Sequence, residues 1–301
     1  MAHDIDQKTA VSLITSQFPH LRPVVAELLG MGWDNVVWRV NGRFAFRFPR
    51  RPIGVDCLQA ELALLPTLAP LLPLPVVAPT LLGQPGQGYP WPFAGYALLP
   101  GQMAYTVGLT AAARNALAVP LAHFLQTLHA FPPEQARALG APPDRLGRFA
   151  MATRVPQLQQ LLQELVARGV LPSLEPWLGV ITAVSPSPTQ AISTPQVLVH
   201  GDLNVRNFLL DEAGQISGVI DWGDLHVGNP AADLALACSF LPPVGQAIFR
   251  QTYGAIDDET WRLAQFRGLH LTAVLLGDAI TAGDAALAQE CRLGLQYILG
   301  A

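Results

Sequence analysis

Lysine is all but missing from this chain: among 301 residues, Lys8 is the only one. Beyond the first few residues, any fixed cation that the fold uses must be an arginine. Charge is sparse as a whole, at 13% of residues and a net −4, which excludes the broad basic surface that nucleic-acid binding needs. Cysteine is down to three, Cys57, Cys238 and Cys291, odd in number, far apart and each with apolar neighbours. That pattern excludes a disulfide framework and reads as buried free thiols in a reducing, cytoplasmic compartment. No targeting leader is expected, because Met1 to Lys8 is polar. One uncharged stretch, Leu62 to Gly83, is long enough to cross a membrane, but Pro66, Pro70, Pro73, Pro75 and Pro79 interrupt it. The stretch therefore reads as the end of a buried helix followed by an extended segment, with no membrane role. Internal repeats, heptads and low-complexity tails are absent as well.

What the chain does have is apolar mass. With 50% hydrophobic residues it can bury a large core, and its length suits two lobes better than one. The chemically informative stretch is Val199-His200-Gly201-Asp202-Leu203-Asn204-Val205-Arg206-Asn207, followed by Ile220-Asp221-Trp222-Gly223-Asp224. Val197 to Val199 is a β-branched, apolar run that delivers His200 at its end, and Phe208-Leu209-Leu210 is a second short run after the polar loop. Asp211-Glu212-Ala213-Gly214 supplies turn residues, and Ile216 to Ile220 returns as a strand ending on Asp221. Such a hairpin brings the loop and Asp221 together. A Mg²⁺ ion held there would find oxygen ligands in Asn207 and Asp221, while Asp202 can point from the same loop toward a substrate hydroxyl. A base for the attacking hydroxyl and oxygen ligands for a divalent cation are what phosphoryl transfer needs, so the chain reads as a small-molecule kinase.

The pattern His-x-Asp-x-x-x-x-Asn, then a strand and an Asp, resembles the protein-kinase catalytic arrangement. The His-Gly-Asp form, with Ile220-Asp221-Trp222-Gly223-Asp224, Gly228-Asn229-Pro230 and Asp233-Leu234-Ala235, resembles the aminoglycoside phosphotransferase family. The resemblance implies that Asp202 is the catalytic base, that Asn207 and Asp221 are metal ligands, and that His200 and Asp233 brace the loop. Nearer the amino terminus, Gly32-Trp33-Asp34-Asn35 through Phe46-Arg47-Phe48-Pro49-Arg50 resembles the 2″-aminoglycoside and macrolide phosphotransferases. This implies a loop around Gly30 and Gly32 that covers phosphates. The strand cation that pairs phosphate in aminoglycoside relatives is usually lysine; the matching position here holds Arg47, whose planar fork can hold phosphate oxygens with a different reach. Glu61 matches the helix glutamate that pairs this cation. Along Phe93 to Gly101 the resemblance implies base recognition by backbone groups, the Ala97 carbonyl and the Leu99 amide, with ATP or GTP as phosphoryl donor.

Elsewhere the signals are local. Residues 10 to 30 carry apolar positions at helical spacing, Val11, Leu13 and Ile14, then Val24, Val25, Leu28 and Leu29, around Pro19 and Pro23, which predicts two short helices. Val36 to Val40, Asn41-Gly42 and Arg43 to Phe48 predict a hairpin. Asp56 to Leu65 predicts a helix with an acidic start. Leu121, Phe124, Leu125 and Leu128 form one apolar stripe, with His123 and His129 as structural histidines, and Leu158, Leu161, Leu162, Leu165 and Val166 form another that Gly169 ends. Ser185-Pro186-Ser187-Pro188 and Thr194-Pro195 mark a loop before the catalytic strand. After Asp233, residues 234–241, 243–253, 259–276 and 285–299 are helical in pattern. Asp224 is the foremost acid for meeting a cationic substrate, ahead of Asp257, Asp258, Glu259 and Asp278.

The expectation is a two-lobed, protein-kinase-like α+β fold, with residues 1–100 as a β-rich, nucleotide-covering lobe and residues 101–301 as a helical catalytic and substrate-binding lobe. The expected activity is transfer of the γ-phosphoryl group of ATP or GTP, with Mg²⁺, to a hydroxyl of an aminoglycoside- or macrolide-type antibiotic or a related metabolite alcohol. The partner is a small molecule, not nucleic acid or membrane. Aminoglycosides call for an acidic pocket and macrolides for an apolar one, and the helical segments carry few acids, so the acceptor stays open. The alternative is a nucleotide-binding module of the same fold without turnover, favoured by the missing lysine and opposed by Asp202, Asn207 and Asp221. A protein kinase is disfavoured because no clear activation segment follows Asp221.

Overall fold

Asn41 and Gly42 both take positive φ, 52° and 65°, which is the backbone that a tight hairpin demands, and the amino-terminal sheet grows from that turn. The computed structural model describes residues 3–184 and 195–300, so the loop expected from Ser185 to Pro195 lies, except for Pro195, outside the described residues. The first elements are α1 (Gln7–Gln17), β1 (Ala26–Met31), β2 (Asn35–Val40), β3 (Phe44–Pro49), α2 (Pro52–Leu68), β4 (Leu81–Gly83) and β5 (Phe93–Ala97). The strands form one antiparallel sheet in the order β1-β2-β3-β5-β4. Alternation along β2 and β3 sends Val36, Trp38, Val40, Phe46 and Phe48 inward, where Phe48 stacks on Phe93 of β5 at 4.4 Å and Leu13 and Ile14 of α1 close the core.

The second of the two short helices expected before residue 30 is instead β1. Val24, Val25, Leu28 and Leu29 have helical spacing, but the segment finds its partner in β2, and Leu28 and Leu29 remain 54% and 49% exposed. Non-local strand pairing outweighs a local period that buries little. Helix α2 also differs from expectation, since it starts at Pro52 and Asp56 lies past its first turn. Proline suits a first helical turn, and Pro66 near the other end does not stop the helix before Leu68. Leu64, Leu65 and Leu68 of α2 join the core of the carboxy-terminal region and so tie the two regions together.

The chain continues as β6 (Gln102–Met103), α3 (Ala111–Ala116), α4 (Ala118–His129), α5 (Pro133–Ala138), α6 (Met151–Ala167), α7 (Leu178–Thr182), β7 (Val197–Val199), β8 (Phe208–Leu210), β9 (Ile216–Val219), β10 (His226–Gly228), α8 (Ala231–Phe240), α9 (Pro243–Tyr253), α10 (Asp258–Ala282) and α11 (Ala285–Leu299). The four helices expected after Asp233 are all present. Helix α8 is apolar nearly all round and is buried, as that composition requires, against α10 and α11. Asp257 caps α10 by accepting from the Thr260 N–H at 2.7 Å, which accounts for one of the acids considered for substrate contact. Two small sheets frame the loop of interest: β7 pairs with β10, and β8 lies between β6 and β9. The three cysteines are free; Cys238 and Cys291 are buried, while Cys57 is only half-buried, contrary to expectation. Among the described residues no helix is long and apolar enough to cross a membrane.

Candidate active site

Asp233, at the start of α8, is fully buried and accepts from the backbone N–H groups of His200 and Gly201, each at 2.8 Å. His129 of α4 lies 3.2 Å from its carboxylate through Nε2 and is held by the Tyr253 hydroxyl at Nδ1, 2.8 Å away. Burial pushes the Asp233 carboxyl up, but the hydrogen bonds from His129 and the loop amides more than offset this, and its pKa lies below the ordinary value. His200 turns its ring under the loop, with Nε2 donating to the Ile220 carbonyl at 3.0 Å and the ring against Trp222. The carbonyl accepts only, so Nε2 carries the proton. Gly201 has φ of 87°, and a Cβ there would stand 2.3 Å from the Asp224 carbonyl oxygen, so no larger residue fits.

These anchors present Asp202, Asn207 and Asp221 together. Asn207 donates through Nδ2 to the Asp202 carbonyl oxygen at 2.7 Å and to the Asp202 carboxylate at 3.2 Å, and its own carbonyl accepts the Ile220 N–H at 2.9 Å, next to Asp221. Asp202 is half-buried at the loop; desolvation, with the carboxylates of Asp224 and Asp221 nearby, raises its pKa to about 6. Asp221 takes a left-handed backbone, φ of 62°, which is uncommon for a side chain with a Cβ and marks a position held by its surroundings.

Arg47 on β3 links this loop to the sheet. Its NH1 donates to Glu61 of α2 at 2.6 Å, and its NH2 lies 3.0 Å from Asp221 Oδ1. The second Glu61 oxygen accepts from the Tyr96 hydroxyl at 2.7 Å. Burial works against the Arg47 charge, but Glu61 and Asp221 more than offset it, and the guanidinium pKa lies above its ordinary value. Glu61 is buried, not the exposed helix acid that its position alone would allow. Just past β5, the Leu98 N–H is spent on the Arg43 carbonyl at 2.8 Å, so the Ala97 carbonyl, on the other side of the same peptide, turns away from β3.

Asp224 is brought to the same loop but is not an unengaged acid: its Oδ1 accepts from Arg148 NH2 at 2.7 Å. Arg148 also donates to the Gly201 carbonyl at 2.9 Å and pairs with Asp144 at 2.6 Å, clamping the loop from outside. Sequence reading missed Arg148; an Asp144-x-x-x-Arg148 spacing was its one local trace. It also missed Tyr96 and Arg267, a buried arginine of α10 that senses the charges of Asp202 and Asp224.

A sequence model of the phosphotransferase enzyme family matches residues 25–268. The structure of the GDP complex of wild-type aminoglycoside 2′-phosphotransferase-IIIa is similar to this chain with a TM-score of 0.70 and 25% identity, over 98% of this chain and 99% of that one. The GDP and kanamycin complex of APH(2″)-IIIa is similar at 0.67 and 25%, over 96% and 97%. The macrolide 2′-phosphotransferase of Brachybacterium faecium shares the fold, with a TM-score of 0.56 and 23% identity over 96% and 97%. An uncharacterised protein of Bacillus subtilis (strain 168), YcbJ, is 29% identical over 68 residues, which are 23% of this chain; the chain spans 22% of that relative's length. With a family match that runs from β1 through the His200–Asn207 loop into α10, and with the β-rich and helical regions of the kinase-like fold, this chain belongs to the phosphotransferase enzyme family.

Proposed function

We propose that the protein transfers the γ-phosphoryl group of ATP or GTP to a hydroxyl of a small molecule, an aminoglycoside- or macrolide-type antibiotic or a related metabolite alcohol. The observation that carries this reading is the convergence of Asp202, Asn207, Asp221 and the Arg47–Glu61 pair at the junction of the sheet and the helical region. Asp202 accepts the proton of the acceptor hydroxyl and orients its oxygen for in-line attack; a carboxylate with a pKa near 6 is a stronger base than an ordinary one and is still ionised at neutral pH. His200 and Asp233 hold the loop that carries it. Residues 1–100 cover the nucleotide in this reading, and residues 101–301 carry catalysis and the acceptor.

Asn207 and Asp221 fit a Mg²⁺ ion. Asn207 has committed its amide nitrogen to Asp202, which leaves its amide oxygen as the ligand, and the Asp221 side chain is 51% exposed. Two hard oxygen donors suit a cation that takes its remaining ligands from phosphates and water. Among the described residues no group of three or more His, Cys, Asp or Glu side chains is placed to hold a metal by itself, which agrees with an ion that arrives with the nucleotide. When bound, Mg²⁺ supplies neutralisation of phosphate charge. Arg47 holds phosphate oxygens with the NH2 that now faces Asp221, while NH1 stays on Glu61. The Ala97 carbonyl and Leu99 amide read the base. At the β1–β2 turn, a Cβ on Gly30 would meet nothing within 4 Å and one on Gly32 only an atom at 3.9 Å. Packing within the chain does not require glycine there, which supports close approach of phosphates to that backbone.

The test is Asp221→Ala with nucleotide binding measured by calorimetry in the presence and absence of Mg²⁺. The expected result is loss of the Mg²⁺-dependent part of the affinity with the fold retained, because one carboxylate ligand is removed from an exposed position. Unchanged Mg²⁺ dependence would contradict the assignment.

A further inference from the structure

Two buried nitrogen atoms on α10, Arg267 Nε and His270 Nδ1, have no hydrogen-bond partner among the described residues. Arg267 is 8% exposed. Spaced three apart on a helix, the two side chains share a face. The charges acting on Arg267 identify its neighbourhood: Asp202 and Asp224 attract it, and Arg148 and Arg154 repel it. It therefore stands by the proposed base, whereas Glu61 and Asp221 are the acids that act on Arg47. Burial, then the repulsion from Arg148, lowers its pKa to about 10, which leaves it charged at neutral pH.

The local acids compensate this charge only in part: Asp202 attracts it without forming an ion pair with it, and the net shift of the guanidinium pKa is still downward. Arg148 takes up Asp144 and Asp224, at 2.6 and 2.7 Å. Arg154 donates to the carbonyls of Gly147, at 3.0 Å, and Leu146, and to the amide oxygen of Gln157 at 2.9 Å. Among the described residues neither Arg154 nor Arg267 makes an ion pair. Burial, with Arg267 and Arg154 nearby, lowers the His270 pKa to about 4, so its ring is neutral and adds no negative charge. A buried guanidinium with an unmatched donor is unfavourable in the free protein and becomes favourable when an anion arrives.

We propose that Arg267 recognises the acceptor, and that the acceptor is a hydroxyl compound bearing an anionic oxygen group, a carboxylate or a phosphate, which Arg267 binds with Arg154 and His270 beside it. This assignment rests on the kinase reading and refines its acceptor. It is opposite in sign to the acidic pocket that a polycationic aminoglycoside requires.

The experiment uses the full chain loaded with Mg²⁺ and a non-hydrolysable triphosphate analogue, which fills the nucleotide site. The probes are four compounds of one three-carbon skeleton: glycerate, glycerol phosphate, glycerol and aminopropanediol. The Arg267 Nε–H resonance, assigned by its disappearance in Arg267→Leu, is followed by NMR during each titration. A saturable shift with glycerate or glycerol phosphate, and none with glycerol or aminopropanediol, is the expected result, and the stronger of the two anions names the group. No saturable shift with either anion, or an equal shift with aminopropanediol, overturns the proposal. With ATP or GTP in place of the analogue, the preferred anion should exceed glycerol in kcat/KM by about 100-fold or more, because a site built to pair a polar group rejects its absence strongly. Arg267→Leu should abolish that preference while nucleotide affinity and Tm hold or Tm rises, since a buried charge without an ion-pair partner is removed. A fall in Tm with the preference intact would mark Arg267 as structural and overturn the proposal. Saturable anion binding without phosphoryl transfer to any probe or antibiotic would leave the anion site standing and refute the kinase reading instead.

Discussion

Replacing Asp233 with alanine removes a fully buried carboxylate that accepts from two backbone amides at 2.8 Å and faces His129 at 3.2 Å. A buried donor left without a partner costs about 1–3 kcal/mol, so stranding the His200 and Gly201 N–H groups should destabilise the protein by about 4 kcal/mol. Asp233→Asn keeps the shape and one acceptor oxygen but turns an N–H toward the other amide, and about 2–3 kcal/mol is expected. Urea unfolding followed by intrinsic fluorescence gives both values from the shift in midpoint at constant slope. The pH dependence has a definite sign. The Asp233 pKa is held below its ordinary value of 3.8, so its charge stabilises the fold above that value, and the contribution is lost as pH falls through the lower folded value. The gap between wild type and Asp233→Asn should hold at neutral pH and narrow below about pH 4. A cost under about 1 kcal/mol for both variants at neutral pH would refute the claim that this carboxylate holds the His200–Asn207 loop.

Arg47→Ala should weaken triphosphate binding far more than adenosine or guanosine binding, measured by calorimetry, since only the triphosphate presents an anion; equal effects would make Arg47 a structural residue. Arg47→Lys separates charge from geometry and should retain substantial triphosphate affinity if charge alone matters. Arg114 and Glu290 form a buried bidentate pair at 2.7 and 2.6 Å that ties α3 to α11. Removing either partner as Arg114→Leu or Glu290→Leu should cost about 3–5 kcal/mol in urea unfolding, and the double variant should recover much of it, because the cost is that of the partner left charged and buried.

The arrangement of the candidate site was legible because its residues stand at short spacing: His200, Asp202 and Asn207 on one loop, a turn at Asp211 to Gly214, and Asp221 just past the returning strand. The late helices were legible for a similar reason, since α8 to α11 carry long apolar patterns bounded by proline or acidic caps. Strand β1 was not, because Val25, Leu28 and Leu29 expose their apolar side chains and the segment owes its conformation to pairing with β2. Arg148 and Arg267 escaped notice for a related reason. An arginine's sequence neighbours do not reveal that the fold sets it beside Gly201 or near Asp202, and the helical pattern of α10 reads Arg267 only as one more helical residue. The identity of a strand cation was readable, since only arginine was available at position 47, but its bridging of Glu61 and Asp221 depends on α2 packing beside the Trp222–Asp224 turn.

The most direct test of the central claim is single-turnover phosphoryl transfer by Asp202→Asn, with mass spectrometry scoring the acceptor that gains a phosphoryl group and nucleotide affinity measured on the same variant. The substitution keeps size and removes the base; Asp202 is not among the proposed metal ligands, so binding of Mg²⁺ and nucleotide should persist. The rate should fall by about 10²–10⁴-fold, the usual share of general-base catalysis. Full-rate transfer by Asp202→Asn would contradict the assignment of the base, and failure of the wild-type chain to phosphorylate any acceptor would contradict catalysis itself in favour of a nucleotide-binding module.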